Sequence, residues 1–183
     1  MKELSLNVLD IAKNSVKAKA TLIGIALEEK DHLLTLTITD NGCGMTPEVL
    51  QGVVNPFYTT RTTRKVGMGI PLFKFAAEQT GGSLSIASTH VDDDPEFHGT
   101  TLVAQLYKNH IDFTPLGDII SSVTTLIQGH PDVDFLFTHR SDALDVSLDT
   151  REMRAVLDDV PLDSYEVLAW IKDNLTEQYN GFN

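Results

Sequence analysis

The chain has 183 residues, is 42% hydrophobic, carries a net charge of −12 and holds one cysteine. That length accommodates one good core plus an appendage. The acidity argues against a nucleic-acid footprint, and a single cysteine rules out a disulfide framework and suits a reducing cytoplasm. Every apolar run is too short to span a bilayer, and Met1 to Leu4 opens a helix instead of a signal peptide, so no membrane role is expected.

Residues 3–18 predict an amphipathic helix with Leu6, Leu9 and Val16 on its apolar face. Asp10 and Asn14 are four apart and stack on one side, one turn from each other. An amide oxygen can ligate a hard cation such as Mg2+, and a carboxylate can orient or deprotonate a nucleophile. A solvated polar face would give the same spacing. A strand follows, with Leu34, Leu36 and Ile38 on one side and Thr35, Thr37 and Thr39 on the other. Directly behind it come Asp40-Asn41-Gly42-Cys43-Gly44. A carboxylate at a strand end can accept two hydrogen bonds and so read an exocyclic amine such as that of adenine. Gly42 and Gly44 have no Cβ to block a flat ring. The competing reading is a hairpin turn.

Further along run Pro56-Phe57-Tyr58-Thr59-Thr60-Arg61, then Arg64, Lys65 and Gly67-Met68-Gly69. Pro71 opens a helix to about Thr80, stopped by Gly81-Gly82. Glycines running into a helix N-terminus present free N–H groups and the positive dipole end, which suits phosphate. From Val49 to Ala77 there is no acidic residue, while Arg61, Arg64, Lys65 and Lys74 are present. A cationic loop in an acidic chain favours an anionic ligand. Strands are predicted near 83–88 and 101–107, joined by a solvated hairpin. The contiguous Asp92-Asp93-Asp94 lacks the alternate spacing of a calcium loop, Cys43 reads as a small filler, and no Walker phosphate loop is present.

Asp10…Asn14, Asp40-x-Gly42-x-Gly44, Pro56-Phe57-Tyr58-Thr59-Thr60, Gly67-x-Gly69 and Gly99-Thr100-Thr101 stand in an order that resembles the GHKL ATPase superfamily: gyrase, the Hsp90 chaperones, histidine kinases and MutL proteins. The resemblance covers about residues 3 to 107 and is strongest to the histidine-kinase ATP-binding domain. It implies an α+β fold, the two-layer α/β Bergerat sandwich, holding ATP and Mg2+ between helices and sheet. By position, Asn14 would ligate Mg2+ and Asp40 the adenine amine. Gly42 and Gly44 would shape the base pocket, and Gly67, Met68 and Gly69 would wrap the phosphates. Thr60, Arg61, Arg64 and Lys65 would belong to the lid, and Thr101 would lie near the base-binding carboxylate. Two features depart from the family. Asp10 stands where hydrolysing members have Glu and typical kinases Asn, keeping the carboxylate but shortening its reach. The glycine loop is short and lacks one glycine of the kinase pattern.

Composition changes between Asn109 and Gly117, dividing the chain into an ATP-binding domain, 1–109, and an acidic C-terminal extension, 110–183. The extension predicts a helix near 116–128, strands near 135–138 and 144–147, and helices from about Thr150 and Ser164. Asp149 or Thr150 would cap the first of these and Asp163 or Ser164 the second. The extension holds no catalytic constellation and reads as a solvated acidic surface; the sharper alternative is a module that binds an unidentified protein partner or phosphoacceptor, in place of the phosphoacceptor histidine hairpin that the sequence is not expected to carry ahead of the domain. The expected function is a Mg-dependent, cytoplasmic, stand-alone kinase or ATPase module of signalling type. The alternative is a non-enzymatic ATP-responsive regulator, similar to the anti-sigma factors.

Overall fold

The computed structural model describes residues 3–53 and 69–181. In chain order the elements are α1 (Leu4–Lys17), β1 (Leu22–Lys30), β2 (Leu33–Asp40), α2 (Pro47–Val53), α3 (Gly69–Gln79), β3 (Ser83–Thr89) and β4 (Gly99–Tyr107). The extension continues with α4 (Ile119–Gly129), β5 (Asp134–Ser141), β6 (Leu144–Asp149), α5 (Thr150–Leu157) and α6 (Tyr165–Asn180).

The strands form one six-stranded sheet in the order β3-β4-β2-β1-β5-β6. All neighbours are antiparallel except β1 and β5, which run parallel. The reason is visible in the chain: β1 reaches β2 through a tight turn, whereas β5 returns to β1's other edge only after a long connection carrying α4. Alternation along the strands sets one buried face. Ile23, Ile25 and Leu27 on β1 lie beside Ile38 and Leu36 on β2 and Phe135 and Phe137 on β5, all buried. Helices α1, α3, α4 and α6 pack on the sheet, an α+β two-layer sandwich. Each fully buried Ile, Leu or Phe in this layer contributes about 1.5–3 kcal/mol, and they join into a single core drawn from both halves of the chain.

Two expectations need correction. The stripe α1 buries is Leu4, Val8, Ile11, Ala12 and Ser15; Leu6 is 42% exposed, because the i, i+4, i+7, i+11 row starting at Leu4 faces the sheet. Ser164 does precede α6, but its hydroxyl makes no cap bond and is buried without a partner among the described residues. Asp149 does cap α5, accepting from the Arg151 N–H.

Candidate functional site

Asp40 ends β2 on the helix-covered face, continuing the row Leu34, Leu36, Ile38. Its partners are specific. Ser15, buried on α1, donates to Asp40 Oδ2 at 2.6 Å, and the Gly42 N–H donates to Oδ1 at 2.9 Å. A carboxylate offers about four acceptor positions, so each oxygen keeps one lone pair free while the group is held in one orientation. Asn41 anchors the same corner: its side-chain oxygen accepts from the Thr21 and Leu22 N–H groups, both at 2.9 Å, and its amide donates to Thr21 Oγ1.

The loop after Asp40 is fastened from both sides. Cys43 N donates to Ala18 O, Val91 N to Cys43 O, and Met45 N to Ser88 Oγ. A Cβ on Gly42 would press on the Ala18 carbonyl and the Asp40 carboxylate, and one on Gly44, which sits at φ +68°, would overlap the Thr89 carbonyl. Glycine is required at both points. His98 Nδ1 lies 2.6 Å from Gly42 O; a carbonyl only accepts, so that ring nitrogen carries the proton.

Asp10 and Asn14 lie on α1 one turn apart, Asp10 half-buried and Asn14 exposed. A Cβ on Gly69, the first residue of α3, would overlap Asp10 Oδ2. The Asp10 carboxylate thus rests against the first residue of α3, whose first turn holds no acidic residue. The structure brings Asp10, Asn14 and Gly69 to one side of the α1–α3 pair, and through Ser15 ties that helix to Asp40, Gly42 and Gly44. The remaining expected lid and loop residues (Thr60, Arg61, Arg64, Lys65, Gly67 and Met68) fall outside the described residues.

Thr101 is placed differently from expectation. It pairs with Thr39 on the opposite face of the sheet, whereas Thr100 pairs with Asp40 and shares its face. Thr100 Oγ1 is 2.9 Å from Ser88 Oγ, whose own proton goes to the Gly99 carbonyl, so Thr100 is the donor in that pair. Ser15, Ser88, Thr100 and His98 were all missed. Thr100 was within reach of sequence: Leu102, Ala104 and Leu106 fix the inward face of β4, and the period of two extends to it. His98 gave no signal, because its role depends on how two loops meet.

Among the described residues no three His, Cys, Asp or Glu side chains gather as a metal site.

A second polar cluster lies at the far end of β1. Glu29 accepts from Lys108 Nζ and from His139 Nε2, the latter at 3.1 Å, and His139 Nδ1 is 2.8 Å from the Tyr179 hydroxyl. Burial disfavours the Glu29 carboxylate, but the Lys108 and His139 hydrogen bonds and charges outweigh it and hold its pKa below the ordinary value. Burial lowers the His139 pKa despite the Glu29 bond, and burial raises that of Tyr179. One arrangement satisfies all three: neutral His139 donates from Nε2 to Glu29 and accepts the Tyr179 proton at Nδ1.

Known proteins similar to this chain place its family and fold. The chain is 30% identical over 90 residues to sporulation kinase B of Bacillus subtilis, covering 48% of this chain and 21% of that protein. It is 27% identical over 86 residues to the sensor histidine kinase ZraS of Salmonella typhi, covering 47% and 18% respectively. The chain therefore spans only a minor part of the curated relatives it matches. Among solved structures, the MutL ATPase domain of Aquifex aeolicus complexed with ADP superposes with a TM-score of 0.55 at 14% identity, over 86% of this chain and 69% of that one. That likeness covers more of the chain than residues 2–110 and shows a shared fold. Residues 2–110 match the family described as histidine kinase-, DNA gyrase B- and HSP90-like ATPase, and the chain belongs to that family.

Proposed function

We propose that the chain binds Mg-ATP and acts as a kinase-like regulatory ATPase module. The observation that carries this reading is Asp40: a strand-end carboxylate held in one orientation by Ser15 and Gly42, with acceptor capacity left over on both oxygens. In this reading Asp40 accepts the adenine amine, Gly42 and Gly44 admit the ring, and the N–H groups opening α3 at Gly69 face the phosphates. Thr100 takes the place expected of Thr101. Thr60, Arg61, Arg64, Lys65, Gly67 and Met68 would close over the phosphates as lid and loop.

Mg2+, held by Asn14 and by phosphate oxygens, would neutralise charge on the transferred group. The protein's own part is positioning. Asp10, resting at the α3 end, would orient a water or hydroxyl and take its proton. Residues 110–183 form the acidic extension, proposed as the partner-facing part of the molecule. The three named relatives act as kinases or as an ATPase by their descriptions, which supports phosphoryl chemistry here.

Calorimetry with a non-hydrolysable ATP analogue tests the reading: Asp40→Asn should abolish binding, and an unchanged affinity would remove it. Incubation with γ-labelled ATP then separates the classes. Label on a protein means kinase and free phosphate means ATPase. Binding without either would favour the second reading, an ATP-responsive regulator, which the absence of Glu at position 10 supports.

A further inference from the structure

A groove of about 280 Å³ runs between α5 and α6, lined by Met153, Leu157, Val160, Val167 and Trp170 with Glu166 on its wall. Trp170 is 54% exposed, Val160 beside it in the lining is exposed, and so are Val156 on α5 and Tyr165 on α6. These are large apolar side chains left in water beside an apolar cavity, on a part of the chain that the nucleotide site does not use.

The rim is acidic. Asp158, Asp159 and Asp163 stand on the connection between the helices, Glu166 lies one turn before Trp170, and Asp173 lies three residues after it, all exposed. The cations of α5 do not balance them: Arg151 is paired with Asp149, and Arg154 with Asp134. The surface is therefore a half-exposed indole and aliphatic pocket bracketed by carboxylates on one helical stripe.

We propose that this groove binds a basic amphipathic helix of a partner protein, apolar anchors at i, i+3/4 and i+7 entering against Trp170 and Lys or Arg side chains meeting the acidic rim. A cleft between two helices takes a third helix in the same packing geometry. Charge decides among occupants. A second copy of this chain would bring the same carboxylates and be repelled, and so would an anionic bilayer. The inference deepens the partner-facing reading of residues 110–183, and it stands apart from the nucleotide assignment.

Trp170 is the chain's one tryptophan, so its emission reports on the groove directly. The probe is a synthetic helical peptide of about 18 residues with a Leu stripe and Lys on the other face. A peptide with the same stripe and Glu in place of Lys serves as its counterpart. The Lys peptide should shift Trp170 emission to the blue, with an affinity that falls as salt rises. The Glu peptide should bind at least about tenfold more weakly. Anisotropy of the labelled Lys peptide should show about a 30-fold loss in Trp170→Ala. The double variant Glu166→Lys/Asp173→Lys, which leaves the apolar lining intact, should reverse the preference between the peptides. Equal binding of both peptides, or full affinity in Trp170→Ala, would overturn the proposal. So would a concentration-dependent dimer abolished by Trp170→Ala, or a blue shift with phosphatidylglycerol vesicles. Titrating ATP in parallel keeps the two readings separate: a chain that takes the Lys peptide but no ATP refutes only the nucleotide site.

Discussion

Replacing Ser15 with alanine isolates the contact on which the candidate base site depends. The Ser15 hydroxyl is buried and donates to Asp40 Oδ2 at 2.6 Å, a bond to a charged acceptor worth about 1.5–3 kcal/mol. Asp40 keeps the Gly42 N–H and is half-buried, so water can partly replace the hydroxyl and a loss near 2 kcal/mol is expected. For a chain of this length that lowers Tm by about 4–8 °C. The carboxylate would also lose the restraint on its second oxygen, and ATP affinity should weaken about tenfold, or about 1.4 kcal/mol. A double-mutant cycle with Asp40→Asn, read by urea denaturation, separates the shared contribution from the individual ones. The coupling between the two positions should be about 1 kcal/mol or more. Effects that add to within about 0.3 kcal/mol, or a Ser15→Ala protein with unaltered ATP affinity, would refute the reasoning.

Gly69→Ala should leave the fold intact, since alanine suits a helix start better by up to about 1 kcal/mol, yet its Cβ must displace the Asp10 carboxylate; thermal melting beside phosphate release should show an unchanged Tm with turnover down at least about tenfold. Asp10→Asn should keep ATP binding within a few-fold and cut hydrolysis by about 10²-fold or more, so normal steady-state phosphate release would show that Asp10 is no base. Stability should fall on acidification. Folded His139 has a lowered pKa and binds fewer protons than an exposed imidazole, so its contribution is complete above about pH 6.5 and is lost as pH drops toward the folded value. Glu29, also lowered, adds a second decline below about pH 4.5. Denaturant midpoints from pH 8 down to about pH 3 measure both, and His139→Gln should flatten the first decline. Tyr179→Phe, which removes the hydroxyl bonded to His139 Nδ1, should cost about 1 kcal/mol by urea titration; no change would mean that the hydroxyl is not bonded there.

Local pattern was enough to place most elements within a few residues. The Leu34, Leu36, Ile38 alternation marked β2 and its buried face, and the glycines at 81–82 marked the end of α3. What the sequence could not show was non-local. Nothing in the run Leu22–Lys30 says that it is the central strand, pairing with β2 on one edge and with β5, more than a hundred residues later, on the other. Thr101 was favoured over Thr100 because the motif was read as a string, whereas the sheet register assigns faces by parity. Ser15 looked like an ordinary small residue on a helix until β2 brought Asp40 within hydrogen-bond reach. Ser88 lies near the end of β3 and His98 in the β3–β4 connection, and only their packing against residues 42–45 gives them a role.

Sheet order has a consequence for how a nucleotide site and a distant surface can share one molecule. β1 carries Ile23 opposite Asp40 at one end and Glu29, bonded to Lys108 and His139, toward the other. The helix that bears Asp10, Asn14 and Ser15 packs on α4, and α4 packs on α6, where Trp170 stands. The last three helices therefore do not hang from the sheet by a linker. Val123, Leu126, Ile127 and Ile171 are buried in the same core as Val8 and Ile11, so a rigid shift of α1 cannot leave α4 unmoved without opening a cavity, at about 24 cal/mol per Å³. Close packing of this kind is the physical condition for the two sites to bias one another; demonstrating that they do requires two arrangements of α1 and α4 that each ligand favours differently. Measuring Lys-peptide affinity with and without the ATP analogue supplies that quantity directly, because the coupling must be the same read from either side.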